Sequence, residues 1–329
     1  MPTPIVRRLR AARAALPLMA ALAAAPAYAQ QPLPLDLFRY DRAAPLDLQS
    51  RPLETREGVD VQAISYASPK GGRVTGRLFV PQGNGPFAGV VLAHGAPGNS
   101  EAFTGRGIYI ARHGAVVIAI DAPFNRREGG PLTLTPRDSV EQVQLIVDLQ
   151  RAVDVLLSRP DVDSARLAYV GRSYGGATGA LFAGVERRLT TYILASADGG
   201  ITTRFTEPDA PPPPPGREEQ ARAWLASMQP IEGLRFVGNA NGTLFFQNGR
   251  QDPVVTPARA EALHAAAAGV RTEVRWYDAA HALNPAAYVD QLRWLSDKVG
   301  TRAPGPEDEA GPEIPPPPAQ AGPQPRPRP

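Results

Sequence analysis

The sequence predicts an α/β architecture, a largely parallel sheet with helices on both faces, and three observations carry that expectation. Short continuous apolar runs at residues 88–93 and 115–120, with 166–170 and 191–195 continuing the strand series, show the pattern of strands buried on both faces. Segments with apolar residues at helical spacing alternate with them, most clearly over 138–157. Finally, Gly171-Arg172-Ser173-Tyr174-Gly175 stands directly behind the run Leu167-Ala168-Tyr169-Val170. That places a serine on a tight strand-to-helix turn, where its hydroxyl is pushed outward and its flanking positions have no room for side chains.

The elements follow in chain order. Residues 1–29 read as a secretory signal: Arg7, Arg8, Arg10 and Arg13 form a charged start, 14–25 an apolar run too short to span a bilayer, and Ala27-Tyr28-Ala29 a small-x-small cleavage site. The expected location is therefore periplasmic or extracellular. This segment holds four arginines and no acid, so the formal charge falls from +3 for the whole chain to −1 for the remainder. Such a balance gives no basic surface for nucleic acid or an anionic membrane. With 0 cysteines, disulfides, thiol catalysis and thiolate metal sites are excluded.

Residues 30–302 form one domain. Its opening third is β-rich, with strands at 61–66 and 74–80 joined by a Lys70-Gly71-Gly72 turn. Beyond it come the apolar strands named above, with a helix near 101–113, and further strands at 242–246 and 272–276. Residues 198–241 are too long for an ordinary connection and contain a helix over 217–228. They read as a small lid or pocket rim, with a plain surface insertion as the alternative. The proline-rich segment 303–329 has almost nothing apolar to bury and reads as a disordered tail.

Ser173 is a weak nucleophile unless a base takes its proton. The four histidines are His94, His113, His264 and His281. Only His281 follows the last strand and precedes the terminal helix, where a base reaches across the strand tops. An acid is expected between serine and base at a strand end, and Asp252 fits best. Asp198 is the second choice and Asp278 the third. Negative charge on a substrate carbonyl needs backbone donors, for which Tyr174 N and Ala96 N, in His94-Gly95-Ala96-Pro97-Gly98-Asn99, are the candidates. His94 would support that loop and leave proton transfer to His281. Arg126 and Arg127 are candidate substrate-binding cations, and Phe124 and Tyr174 candidates for the acyl side.

On the H-G-A-P-G loop, the G-R-S-Y-G-G turn, N-G-R-Q-D-P and the final A-A-H, the chain resembles secreted bacterial α/β-hydrolases of the dienelactone-hydrolase-like and acetyl-esterase-like kind. The resemblance implies an eight-stranded, mostly parallel sheet and a serine mechanism without metal or cofactor, acting on a small-molecule carboxylic ester. Two departures concern substrate: the H-G-G-G signature of hormone-sensitive-lipase relatives is missing, and a serine stands where some dienelactone hydrolases use cysteine. A prolyl-oligopeptidase-like exopeptidase or amidase is the alternative, weakened by the short N-terminal region. A non-catalytic exported binding protein on the same scaffold is the third reading.

Overall fold

In the computed structural model, residues 32–206, 210 and 212–313 are described. The expected signal at 1–29 and the end of the tail, 314–329, lie outside them. The strands are β1 (Gln49–Arg56), β2 (Val59–Ala67), β3 (Arg73–Pro81), β4 (Phe87–Ala93), β5 (Ala115–Ile120), β6 (Val162–Arg172), β7 (Thr191–Ala195), β8 (Thr243–Gly249) and β9 (Thr272–Tyr277). They form one sheet in the order β1-β2-β3-β5-β4-β6-β7-β8-β9. From β5 to β9 all neighbours are parallel, and the first three strands are joined on antiparallel.

The mostly parallel expectation is met, but the described sheet has nine strands rather than eight. The additional one is β1, whose residues are almost all exposed. It carries no apolar alternation; it is held by backbone pairing to β2, in register from Gln49 opposite Ser65 to Arg56 opposite Val59, with side-chain links from Thr55 to Asp60 and from Arg56 to Glu313.

The buried strands divide their side chains by the period of two that the pleat imposes. In β4, Val91 and Ala93 face one cluster while Ala88, Val90 and Leu92 face the other. The first cluster takes helices α2 (Arg137–Leu157), α3 (Tyr174–Val185) and α7 (Pro257–Ala266). The second takes α1 (Thr104–Ala111) and α8 (Pro285–Val299). Helix α3 is enclosed nearly all round, which suits its Gly/Ala-rich sequence; α8 begins at an Asn284 cap followed by Pro285 and ends at Gly300 in the left-handed region.

Residues 198–241 contain α4 (Thr203–Thr206), α5 (Glu218–Met228) and α6 (Gly233–Phe236). The segment is fastened to the body by Trp224, which is buried and donates from Nε1 to Asp138 Oδ2 at 2.9 Å.

The expectation of a disordered tail from 303 needs correction for residues 303–313. Asp308 is fully enclosed, accepts from Gly305 N at 2.8 Å and His113 Nε2 at 3.1 Å, and pairs with Arg112. Tyr109 Oη donates to its carbonyl at 3.0 Å. One buried carboxylate with several donors ties this segment to α1 despite its poor apolar content.

Candidate active site

The site stands at the carboxyl ends of the parallel strands, where open α/β sheets place their ligand crevices. β6 ends at Arg172 and α3 starts at Tyr174, leaving Ser173 alone at the turn with φ 55° and ψ −117°. A non-glycine residue in this region is strained and is held there by its surroundings. Ser173 N donates to Ala195 O at 2.8 Å, and the flanking glycines leave room for the turn: a Cβ on Gly175 would stand 2.4 Å from Ala93 O.

His281 lies between β9 and α8. Its Nδ1 is 2.8 Å from Asp252 Oδ2 and its Nε2 2.8 Å from Ser173 Oγ. A carboxylate only accepts, so the ring proton belongs on Nδ1 and Nε2 is free to accept from the serine hydroxyl. Asp252 is buried, and its second oxygen, Oδ1, accepts from Val254 N at 2.8 Å and Val255 N at 2.9 Å. Burial holds His281 below the ordinary imidazole value. Arg172 and Arg204 push in the same direction, while Asp252 opposes them.

The other candidate acids are engaged elsewhere. Asp198 is buried and accepts from Arg204 Nε and Nη2, each at 3.3 Å; burial pushes its carboxyl up. Asp278 is exposed and accepts from Gln251. Among the remaining histidines, His264 approaches Asn248 Oδ1 at 3.2 Å, and His113 belongs to the Asp308 anchor.

The 94–99 loop lies against the serine, since a Cβ on Gly95 would come within 3.3 Å of Ser173 Cβ. Tyr174 N is the first amide of α3 and has no acceptor within its own helix. His94 is a strut: Ala122 N donates to its Nε2 at 3.1 Å, which fixes the proton on Nδ1 and lets Nδ1 donate to Gly95 O at 3.0 Å. Burial lowers its pKa, in keeping with a neutral ring that joins the loop to the end of β5.

Neither candidate substrate arginine is brought to Ser173 as a free cation. Arg126 pairs with buried Asp148 and donates to Arg73 O at 3.2 Å. Arg127 holds Glu141 through Nε at 2.6 Å and Nη2 at 2.8 Å. Phe124 is buried, with its ring edge-on to Tyr174 at 5.5 Å and to His94 at 5.8 Å, so it backs the site instead of lining an open surface. Tyr174 Oη donates to Gln142 Oε1 at 3.0 Å.

Two residues that sequence reasoning passed over hold His281. Arg172 Nη2 and Ser196 Oγ both donate to the His281 carbonyl, each at 3.0 Å. Arg172 was visible as the variable position of the serine motif, but nothing in the motif states what it grips. Among the described residues, no group of three or more His, Cys, Asp or Glu is arranged to hold a metal ion.

The chain has relatives by sequence and by fold. Cutinase from Thermobifida fusca (strain YX) is 34% identical over 161 residues, 46% of this chain and 46% of that protein. The chain therefore spans about half the length of this curated relative. An acetyl xylan esterase from Paenibacillus sp. R4 shares the fold at TM-score 0.66 and 22% identity, with 77% of this chain and 89% of that one covered. A dienelactone hydrolase, so described, from Klebsiella pneumoniae subsp. pneumoniae MGH 78578 does so at TM-score 0.53 and 17% identity, covering 73% and 98%. The family model described as alpha/beta hydrolase fold matches residues 90–319, which contain the serine turn, the acid turn and the terminal histidine, and the chain belongs to that family.

Proposed function

We propose that this protein is an exported serine hydrolase that cleaves carboxylic esters of small molecules through an acyl-enzyme. The observation that carries the reading is the unbroken hydrogen-bonded line from Asp252 through His281 to Ser173, 2.8 Å at both links. The names of the related proteins, a cutinase and acetyl xylan esterases, favour esters as the substrate class. Export rests on the composition of residues 1–29.

In the proposed cycle Ser173 Oγ attacks the ester carbonyl as its proton passes to His281 Nε2. Asp252 keeps the ring oriented and stabilises the imidazolium. The carbonyl oxygen takes up negative charge facing Tyr174 N and Ala96 N, donors already in place before the reaction begins. As the tetrahedral intermediate collapses, the ester C–O bond breaks and Nε2–H gives its proton to the leaving alkoxide, releasing the alcohol. Water then repeats the sequence on the acyl-serine: His281 takes its proton, the hydroxide adds to the carbonyl, and Ser173 leaves with the proton returned.

The test is turnover of p-nitrophenyl acetate and longer esters by native protein and Ser173→Ala. The variant is expected to lose on the order of 10⁴-fold in kcat. Native protein inactive on every ester would end the reading, and a Ser173→Ala variant with native turnover would remove the site. A matched anilide separates ester from amide preference.

A further inference from the structure

Beneath the serine, on the face of the sheet covered by α1 and α8, Arg106 and Arg172 approach one cavity. The Arg106 guanidinium lies between two rings, 4.6 Å from the Phe103 centroid and 4.8 Å from that of Tyr288. Its Nη2 donates to Tyr288 Oη at 2.6 Å. Arg172 enters from the serine turn, with Nη2 on the His281 carbonyl and Nε enclosed without an acceptor.

Among the described residues neither arginine has a carboxylate within ion-pair distance, Asp252 acting on Arg172 only from farther off, which sets them apart from other enclosed arginines. Arg112 pairs with Asp308, Arg126 with Asp148, Arg127 with Glu141, Arg151 with Asp154 and Arg188 with Glu186. Desolvation lowers the pKa of Arg106 to about 10, and the charge of Arg172 adds to that effect. Two like charges facing one enclosed space are costly unless something negative lies between them. The two rings the Arg106 guanidinium lies over offset part of that cost, but its N–H groups still have to be satisfied.

The cavity decides what fits. It is lined by Arg106, Arg172, Tyr288, Gln291, Gly171 and Pro312, and its open space of about 10 Å³ admits the centre of one water-sized sphere. A carboxylate or phosphate is too large. Water fits but adds no negative charge beyond the more distant Asp252 carboxylate that acts on Arg172. Tyr288 Oη, having accepted from Arg106, retains its own proton to donate.

We propose that this cavity is a halide site, occupied by a single chloride ion held between the Arg106 and Arg172 guanidiniums and the Tyr288 hydroxyl. The ion sits one residue behind the nucleophile and completes the charge balance of the arginine that holds the base. Binding here does not depend on ester hydrolysis and is read without turnover.

Crystals of the full chain soaked in sodium bromide are expected to give an anomalous peak between Arg106 and Arg172. In solution, chloride at matched ionic strength is expected to raise the melting temperature above that in gluconate. Tyr288→Phe keeps the ring on the guanidinium and removes one donor, so the half-saturating chloride concentration should rise by about tenfold, the loss of one charge-assisted hydrogen bond. Arg106→Gln should abolish both peak and chloride increment. Absence of the bromide peak in native crystals, or a chloride increment unchanged in Tyr288→Phe, would overturn the assignment.

Discussion

At the residue scale, His281 is the proposed base, and on that reading its surroundings set the working pH. Burial disfavours its charged form, Arg172 and Arg204 add to that, and the Asp252 carboxylate acts against them, leaving the base below the ordinary imidazole value. The neutral ring takes the serine proton, so activity is lost as pH falls through the His281 pKa and is present above it. The acidic limb of kcat/KM is therefore expected to turn below about 6.5, the reference imidazole value. In Asp252→Asn the raising influence is removed, and the limb should move further down while kcat drops, a displacement that a pH-rate series would record. A limb above the reference value in native protein would contradict this account of the base.

At the element scale, the segment 303–313 behaves as a clasp on α1. Burial raises the Asp308 carboxyl, but Gly305 N–H, His113 and Arg112 outweigh it and hold it below the usual carboxylate range. Asp308→Ala would leave those enclosed donors without their acceptor. The expected cost is about 3 to 5 kcal/mol, measured by urea unfolding. A loss under about 1 kcal/mol would mean the segment merely rests on the surface. This clasp also shows where the sequence stopped being readable. A strand such as 115–120 or a turn such as Gly171 to Gly175 declares itself through its own residues, because burial on both faces and tight turning act locally. The candidates Ser173, Asp252 and His281, which the structure brings within hydrogen-bond reach of one another, could be named in advance because chain order and strand-end positions restrict the choice to a few residues. The clasp and β1 could not. Their apolar content is low, so neither shows a burial pattern: Asp308 in the clasp is gripped by Arg112 and His113 from far earlier in the chain, and β1 is held mainly by backbone pairing to its neighbour β2. Arg126 and Arg127 failed for the same reason: Asp148 and Glu141 claim them only once α2 has packed.

On the scale of the whole molecule, the segment 198–241 is coupled to overall stability through Glu232. It is buried and accepts from Thr202 N at 2.9 Å. Burial, with Asp198 adding to it, pushes its carboxyl up to about 7. A folded-state value above the unfolded one means that the folded chain holds this proton more tightly. Stability from this group is therefore greatest at low pH and is lost as pH rises from about 4.3 to 7. Glu232→Gln, which stays neutral, should match native protein near pH 5 and exceed it at pH 8 by on the order of 2 kcal/mol. Equal unfolding free energies for the two proteins at both pH values would refute this linkage.

The outermost strand bears on a different matter, the behaviour of many copies together. β1 presents its outer edge to solvent, and such an edge invites strands from other molecules. Its sequence works against that recruitment: Pro52 has no N–H to offer, Leu53 is the extra residue where the register shifts between Pro52 and Glu54, and Arg51, Glu54 and Arg56 place charges along eight residues. A strand with so little to bury thus serves as a terminus that limits edge-to-edge growth, keeping the apolar strands inward of β2 from templating aggregation at high concentration.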